Sequence, residues 1–318
     1  MAQTRVLTAV PPAASCREGA MPLGQGHAAW VEDVWESGRC LGAGAFASVK
    51  VMRDPRSGSR VAVKAVSKNT FRAFKAKTQS ILEIQDERNM VASLNHPSIV
   101  KLLDWFESAS HMYLVMEFHC QGDLLDFLMQ SGPVPERDAR QMLRCICAAI
   151  EYLRHADVVH RDVKPGNILI VDTGVASPDV RLADFGLARA CAVPCGCQTI
   201  CGTPLYYAPE VLRTLRGAAP GFGHAADMWS RGVTAYAALS ALPPFDEVYA
   251  LGDQILQATY EYDGEAWCIS TPAAKRFVSE LLTVDPEARL TATGALQHVW
   301  FADLEPCMSP VSRTQRRV

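Results

Sequence analysis

Hydrophobic and polar residues alternate in short runs over the first third of the chain, and the period lengthens further on. Runs 39–41, 48–52 and 60–66 are β-prone and are separated by the turn signals Gly42-Ala43-Gly44 and Asp54-Pro55-Arg56-Ser57-Gly58. Segment 80–94 then sets Ile81, Ile84, Met90, Val91 and Leu94 at helical spacings and stops at His96-Pro97. Two further runs, 99–106 and 111–118, predict strands. The pattern is that of one main helix on a small antiparallel sheet.

Beyond Gly122 helical spacing takes over. Segment 136–154 places Met142, Leu143, Ile146, Ile150 and Leu153 on one face. Segments 229–242, 251–258, 273–282 and 291–297 predict further helices, and 162–188 predicts short strands and turns. The fold class expected is α+β, a small β lobe joined near 117–122 to a larger α-rich lobe. Residues 1–34, rich in Ala, Pro and Gly, predict a flexible arm, with a mitochondrial transit peptide as the alternative because acids are scarce. Residues 302–318 predict a short solvated tail.

Composition narrows the setting. At 318 residues, 49% hydrophobic and 20% charged, the chain can bury a sizeable core. A formal net charge of −3 gives no basic surface for tracking nucleic acid. Eleven scattered cysteines without a signal peptide predict reduced thiols inside the cell, in cytoplasm, nucleus or both. No apolar run approaches the ~18–20 residues that span a bilayer, so no membrane partner is expected.

Four stretches carry candidate chemistry. The glycine turn at Gly42 and Gly44, continuing through Phe46 to Val49, lets backbone N–H groups approach phosphate oxygens; alone, it is more often a plain hairpin turn. Lys64, in Val61-Ala62-Val63-Lys64, is placed to hold nucleotide phosphates, with Glu87 expected to fix its ammonium and Glu83, one turn earlier, competing. In His160-Arg161-Asp162-Val163-Lys164-Pro165-Gly166-Asn167, Asp162 can orient an attacking hydroxyl and take its proton. Lys164 can neutralise a transferring phosphoryl group, and Asn167 can offer an oxygen to Mg²⁺. Asp184, before Phe185-Gly186, is a hard-oxygen ligand for the same ion.

This ordered set resembles the protein-kinase signature over residues 35–301. The resemblance implies a bilobal kinase fold, 35–117 and 118–301, with ATP in the cleft and Mg²⁺, or Mn²⁺ in its place, as metal. It implies nucleotide contacts at Leu41, Gly42, Gly44, Phe46, Val49, Ala62, Lys64 and Leu169. Met116, Glu117, Cys120 and Asp123 are implied along the hinge. Lys164 together with Gly202-Thr203-Pro204-Leu205-Tyr206-Tyr207-Ala208-Pro209-Glu210 looks like a serine/threonine enzyme acting on protein substrates. By the same resemblance Thr203 contacts Asp162 and Lys164, Glu210 pairs with Arg289, and Asp227 holds the catalytic-loop backbone.

Within that family the chain is similar to the calcium/calmodulin-dependent group, and the long spacer 214–226 resembles its checkpoint and phosphorylase kinases. The tail shows no amphipathic basic helix, so calmodulin binding is not expected. Asp123 implies a substrate arginine three residues before the acceptor, whereas Gly166 stands where glutamate is common and leaves the preference two residues before it open. Arg161 and Arg189 are implied as a pocket for a phosphate on Thr199, added by an upstream kinase. Cys191, Cys195, Cys197 and Cys201 crowd the same loop, with zinc, redox control and plain small residues all open. The alternative function is a pseudokinase scaffold, disfavoured because Lys64, Glu87, Asp162, Asn167 and Asp184 are all present.

Overall fold

In the computed structural model the chain is described over residues 36–44, 47–54, 57–78, 84–172, 178–190, 197, 201–302 and 304. The small lobe is built on strands β1 (Glu36–Ala43), β2 (Ala47–Arg53), β3 (Arg60–Ser67), β4 (Leu102–Glu107) and β5 (His111–Glu117). They form one antiparallel sheet in the order β1-β2-β3-β5-β4. Alternation explains its two faces: Val61, Val63, Phe106, Tyr113 and Val115 pack together on one side. Met112 and Leu114 instead join the main core with Val91 and Leu94.

Two helices follow β3, α1 (Lys68–Thr78) and α2 (Ile84–Ser93). The first is a correction to the sequence reading, which placed a single helix at 80–94. Its periodicity is thin: Phe71 is its one large buried apolar residue among those described. The strand expected at 99–106 starts only at Leu102, because the turn after His96-Pro97 carries Ile99 into an isolated bridge with Leu182.

The large lobe holds α3 (Leu124–Ser131), α4 (Glu136–His155), α5 (Pro209–Leu215), α6 (His224–Ser240), α7 (Leu251–Gln257), α8 (Glu265–Ile269), α9 (Pro272–Leu281) and α10 (Ala292–Leu296). Short α3, α5 and α8 were not anticipated. The predicted face of α4 is buried at Met142, Leu143, Ile146, Ile150 and Leu153. Acids in its first turn and Arg154 and His155 in its last complement the helix dipole. Helix α6 is buried at every position from 226 to 239 and forms the lobe's axis. A Cβ on Gly232 would lie 2.8 Å from Leu282 and 2.9 Å from Leu281, so α6 and α9 pack almost backbone to side chain.

Two small ladders complete the floor of the cleft, β6 (Val158–Val159) with β9 (Arg189–Ala190) and β7 (Ile168–Asp172) with β8 (Asp179–Leu182). Among the described residues no helix is long and apolar enough to cross a membrane. The segments expected as arm and tail, 1–34 and nearly all of 302–318, lie outside the described residues, as do Glu83, Phe46, Thr199, Cys191 and Cys195.

Candidate active site

Strand register places the first half of the site. On β3, Lys64 lies opposite Val49 on one neighbour and Leu114 on the other, while Ala62 lies opposite Met116. The Lys64 ammonium reaches Glu87 Oε1 at 2.6 Å and Asp184 Oδ1 at 2.8 Å. Burial alone would pull the lysine's pKa down, but the two carboxylates outweigh it and push it up. Burial pushes the Asp184 carboxyl up, yet the Lys64 charge, its hydrogen bond and the Gly186 N–H bring it down to about 2. Asp184 is therefore ionised, and its side chain remains 51% exposed toward the cleft.

A second cluster gathers on the loop between β6 and β7. Asp162 is buried. Its Oδ2 lies 2.8 Å from the Lys164 ammonium and accepts from Asn167 Nδ2 at 2.9 Å. Its Oδ1 accepts from the Thr203 N–H at 3.2 Å and the Thr203 hydroxyl at 3.1 Å. Lys164 also donates to the Thr203 hydroxyl at 2.7 Å. The expected contacts of Thr203 with Asp162 and Lys164 are thus present.

Backbone strain is used to aim these groups. Arg161 (φ 68°) and Asp184 (φ 62°) both adopt the left-handed region, at a cost on the order of 1–3 kcal/mol each. Asp227 over-determines the first: its Oδ2 accepts from the His160 N–H at 2.7 Å and its Oδ1 from the Arg161 N–H at 2.8 Å. Burial raises the Asp227 carboxyl, and those bonds offset the rise only in part. The second is steadied by Phe185, which is buried edge-on against His160 at 4.8 Å between ring centroids.

The metal candidates are brought close by a ladder. Ile168 pairs with Leu182 and the Ala183 N–H donates to the Asn167 carbonyl at 2.8 Å, which sets Asn167 one residue from Asp184. Asn167 spends its NH₂ on the Asp162 carbonyl and carboxylate, leaving its amide oxygen as a hard donor. One carboxylate and one amide oxygen suit Mg²⁺, which keeps waters and takes phosphate oxygens for its other positions. The glycine turn has room as well: a Cβ on Gly42 would meet nothing within 4 Å.

Other expected residues have duties within the fold itself. The Glu117 carboxylate accepts from the Lys101 N–H at 3.0 Å and faces Arg181 at 3.4 Å and His119 at 3.5 Å, so it serves the lobe's own scaffold. Asp123 caps α3 by accepting from the Asp126 N–H at 2.9 Å, and it bridges to Leu169. Leu41, Val49, Met116, Cys120 and Leu169 keep some exposure around the cleft. Arg161 donates through Nε to the Leu187 carbonyl, and the Arg189 backbone pairs with Val159.

The segment from Gly202 to Glu210 is anchored deep in the large lobe. Glu210 and Arg289 form a bidentate buried pair at 2.7 and 2.9 Å, as expected. Three contacts were not foreseen. Ser230 donates to the Tyr206 carbonyl at 2.8 Å, Cys197 and Phe222 exchange backbone bonds of 2.7 and 3.0 Å, and Gly202 (φ 107°) comes so near Arg161 that a Cβ would lie 2.6 Å from its carbonyl oxygen. A glycine two residues before Pro204 was the only sequence hint of the last.

Comparison with known proteins follows the same lines. The family model "Protein kinase domain" matches residues 35–301. Myosin light chain kinase A of Dictyostelium discoideum is 37% identical over 273 residues, covering 85% of this chain and 89% of that protein. Calcium/calmodulin-dependent protein kinase type 1B of Rattus norvegicus is 36% identical over 276 residues, covering 86% and 76%. Calcium/calmodulin-dependent protein kinase type 1 of Macrobrachium nipponense is 38% identical over 293 residues, covering 90% and 78%.

Proposed function

The chain belongs to the protein kinase family, as a relative of serine/threonine kinases, and we propose that its cleft moves the γ-phosphoryl group of Mg-ATP onto serine or threonine hydroxyls of proteins. The observation that carries this reading is the Asp162 carboxylate held from three sides by Lys164, Asn167 and Thr203. A carboxylate fixed this way can orient an acceptor hydroxyl and receive its proton as the acceptor oxygen bonds to phosphorus and the bond to the leaving nucleotide breaks. Lys164 lies beside the same oxygen and balances charge there, while Lys64, set by Glu87 and Asp184, offers its ammonium to the nucleotide phosphates. Asp184 and Asn167 would hold Mg²⁺, which would supply neutralisation of phosphate charge there.

Control through Thr199 belongs to the same proposal. A phosphate there would carry about −1.5 to −2 charge, and Arg161 and Arg189 are the cations that would receive it. The spacer 214–226, whose length suggests checkpoint and phosphorylase kinases, supplies Phe222 to bridge Cys197 in the same segment.

The test is transfer of labelled phosphate from Mg-ATP to a basic protein and a degenerate peptide library, with Asp162→Asn and Lys64→Met as controls. Transfer by wild type and its loss in both variants is expected. ATP binding without transfer by the folded wild type would overturn the reading in favour of a scaffold. Full activity of Thr199→Ala after incubation with ATP would overturn the regulatory part.

A further inference from the structure

Two tyrosines stand side by side soon after Gly202, and the fold uses them differently. Tyr206 ends a 3₁₀ turn, Pro204–Tyr206, and contributes its carbonyl, which accepts from the Ser230 hydroxyl at 2.8 Å. Tyr207 contributes its side chain. The ring turns back along the segment, and its hydroxyl donates to the Gly202 carbonyl at 3.2 Å. A Cβ on Gly202 would lie 3.5 Å from the same ring, at Cε1.

Backbone bonds already tighten the middle of this stretch, from the Tyr206 N–H to the Thr203 carbonyl at 2.9 Å and from the Tyr207 N–H to the Pro204 carbonyl at 3.1 Å. The Tyr207 hydroxyl reaches past them to the residue before Thr203. That residue is the one wedged against the catalytic loop, since its Cβ position lies 2.6 Å from the Arg161 carbonyl oxygen and 3.4 Å from Asp162 Oδ1. Gly202 therefore sets the direction in which the backbone delivers Thr203 to Asp162. Burial, with Cys201 and Asp162 nearby, pushes the Tyr207 phenol up, so at neutral pH it keeps the proton that it donates.

We propose that Tyr207 is a positioning residue for phosphoryl transfer: its hydroxyl braces Gly202 so that the Thr203 hydroxyl closes on Asp162 and Lys164. The inference rests on the protein-kinase reading above and adds to that site a residue that acts on the base through Thr203. Phenylalanine in its place fills the same space and removes only the brace. Water can then satisfy the Gly202 carbonyl, but a mobile partner does not fix where that carbonyl sits. What is lost is alignment at the base, which lowers kcat and leaves nucleotide binding as it was.

The experiment is a double-mutant cycle: kcat and KM for ATP with one peptide substrate, in wild type, Tyr207→Phe, Thr203→Val and the double variant. Tyr207→Phe should lower kcat about threefold to tenfold with KM for ATP unchanged. In the Thr203→Val background the same change should cost less than about twofold, because the side chain through which the brace acts is gone. Amide exchange at Thr203, read well below the melting range of each protein, should quicken in Tyr207→Phe; this readout needs no turnover. Unchanged kcat, unchanged exchange, or an equal loss in both backgrounds overturns the brace alone. Absence of transfer to any peptide by folded wild type overturns the kinase reading, and with it the role given to the brace.

Discussion

Thr203 touches Asp162 twice, through its N–H at 3.2 Å and its hydroxyl at 3.1 Å, although 41 residues separate them. The hydroxyl also receives the Lys164 ammonium at 2.7 Å, so it closes a ring of three side chains around the candidate base. Thr203→Ser keeps that ring and should stay within a few-fold of wild type. Thr203→Val removes it, and hydrogen bonds to charged groups contribute about 1.5–3 kcal/mol, so kcat should fall about tenfold to a hundredfold. Steady-state phosphorylation of one peptide by the three proteins decides the matter; equal rates for valine and serine would refute it.

Acid sensitivity follows from Asp184. Its carboxyl, pushed down to about 2 chiefly by Lys64 against its own burial, lies below the ordinary aspartate range near 4. A depressed folded value stabilises the protein above the unfolded pKa, and that contribution is lost as pH falls from about 4 toward 2. Urea midpoints should therefore drop over this window in wild type. In Lys64→Met, with the cation gone, the drop attributable to this group should shrink; an identical pH profile would count against the assignment.

Gly202 is an unforgiving position. A φ of 107° disfavours any side chain, and the Arg161 carbonyl 2.6 Å from a built Cβ is backbone that cannot swing away. Gly202→Ala should melt earlier, by about 1–3 kcal/mol, and should lose more activity than stability because Thr203 is displaced from Asp162. Calorimetry and peptide kinetics on one preparation test both; unchanged kinetics would show that the loop tolerates the shift.

Arg231 is fully buried on α6, and none of its three side-chain nitrogens finds a hydrogen-bonding oxygen among the described residues. Beside it are the Phe277 ring, 5.0 Å away, and Cys147, which shares a hydrogen bond with it and whose thiol burial pushes up to about 11. A charge so placed is costly, so Arg231→Met should stabilise the protein by about 1–4 kcal/mol. Chemical denaturation measures this directly, and a lowered midpoint would mean that the guanidinium has a stabilising role after all.

That arginine also marks where sequence reading runs out. Asp162, Lys164 and Asn167 were legible because their roles are crowded into one loop, and Glu87 because helical spacing left it only one rival. Arg289 was found as the partner of Glu210 through resemblance alone. Nothing local in the run around Arg231 separates a buried guanidinium from a surface one, since burial there is decided by α4 and α9, which come from far along the chain. Helix α1 escaped because its run of lysines, polar residues and scattered apolar ones makes no clear periodicity. The cap formed by Asp123 and the Cys197–Phe222 bridge depend on backbone partners, which side-chain pattern does not reveal.

The Glu210–Arg289 pair ties residues 79 positions apart inside the core. During synthesis every group proposed for nucleotide chemistry, from Lys64 to Asp184, has left the ribosome long before Arg289 is made. Until it arrives, Glu210 lacks the counter-ion with which it is buried. The nucleotide half of the cleft is thus available for assembly first. The buried anchor beneath the segment from Thr203 to Glu210 is completed only when nearly the whole large lobe exists.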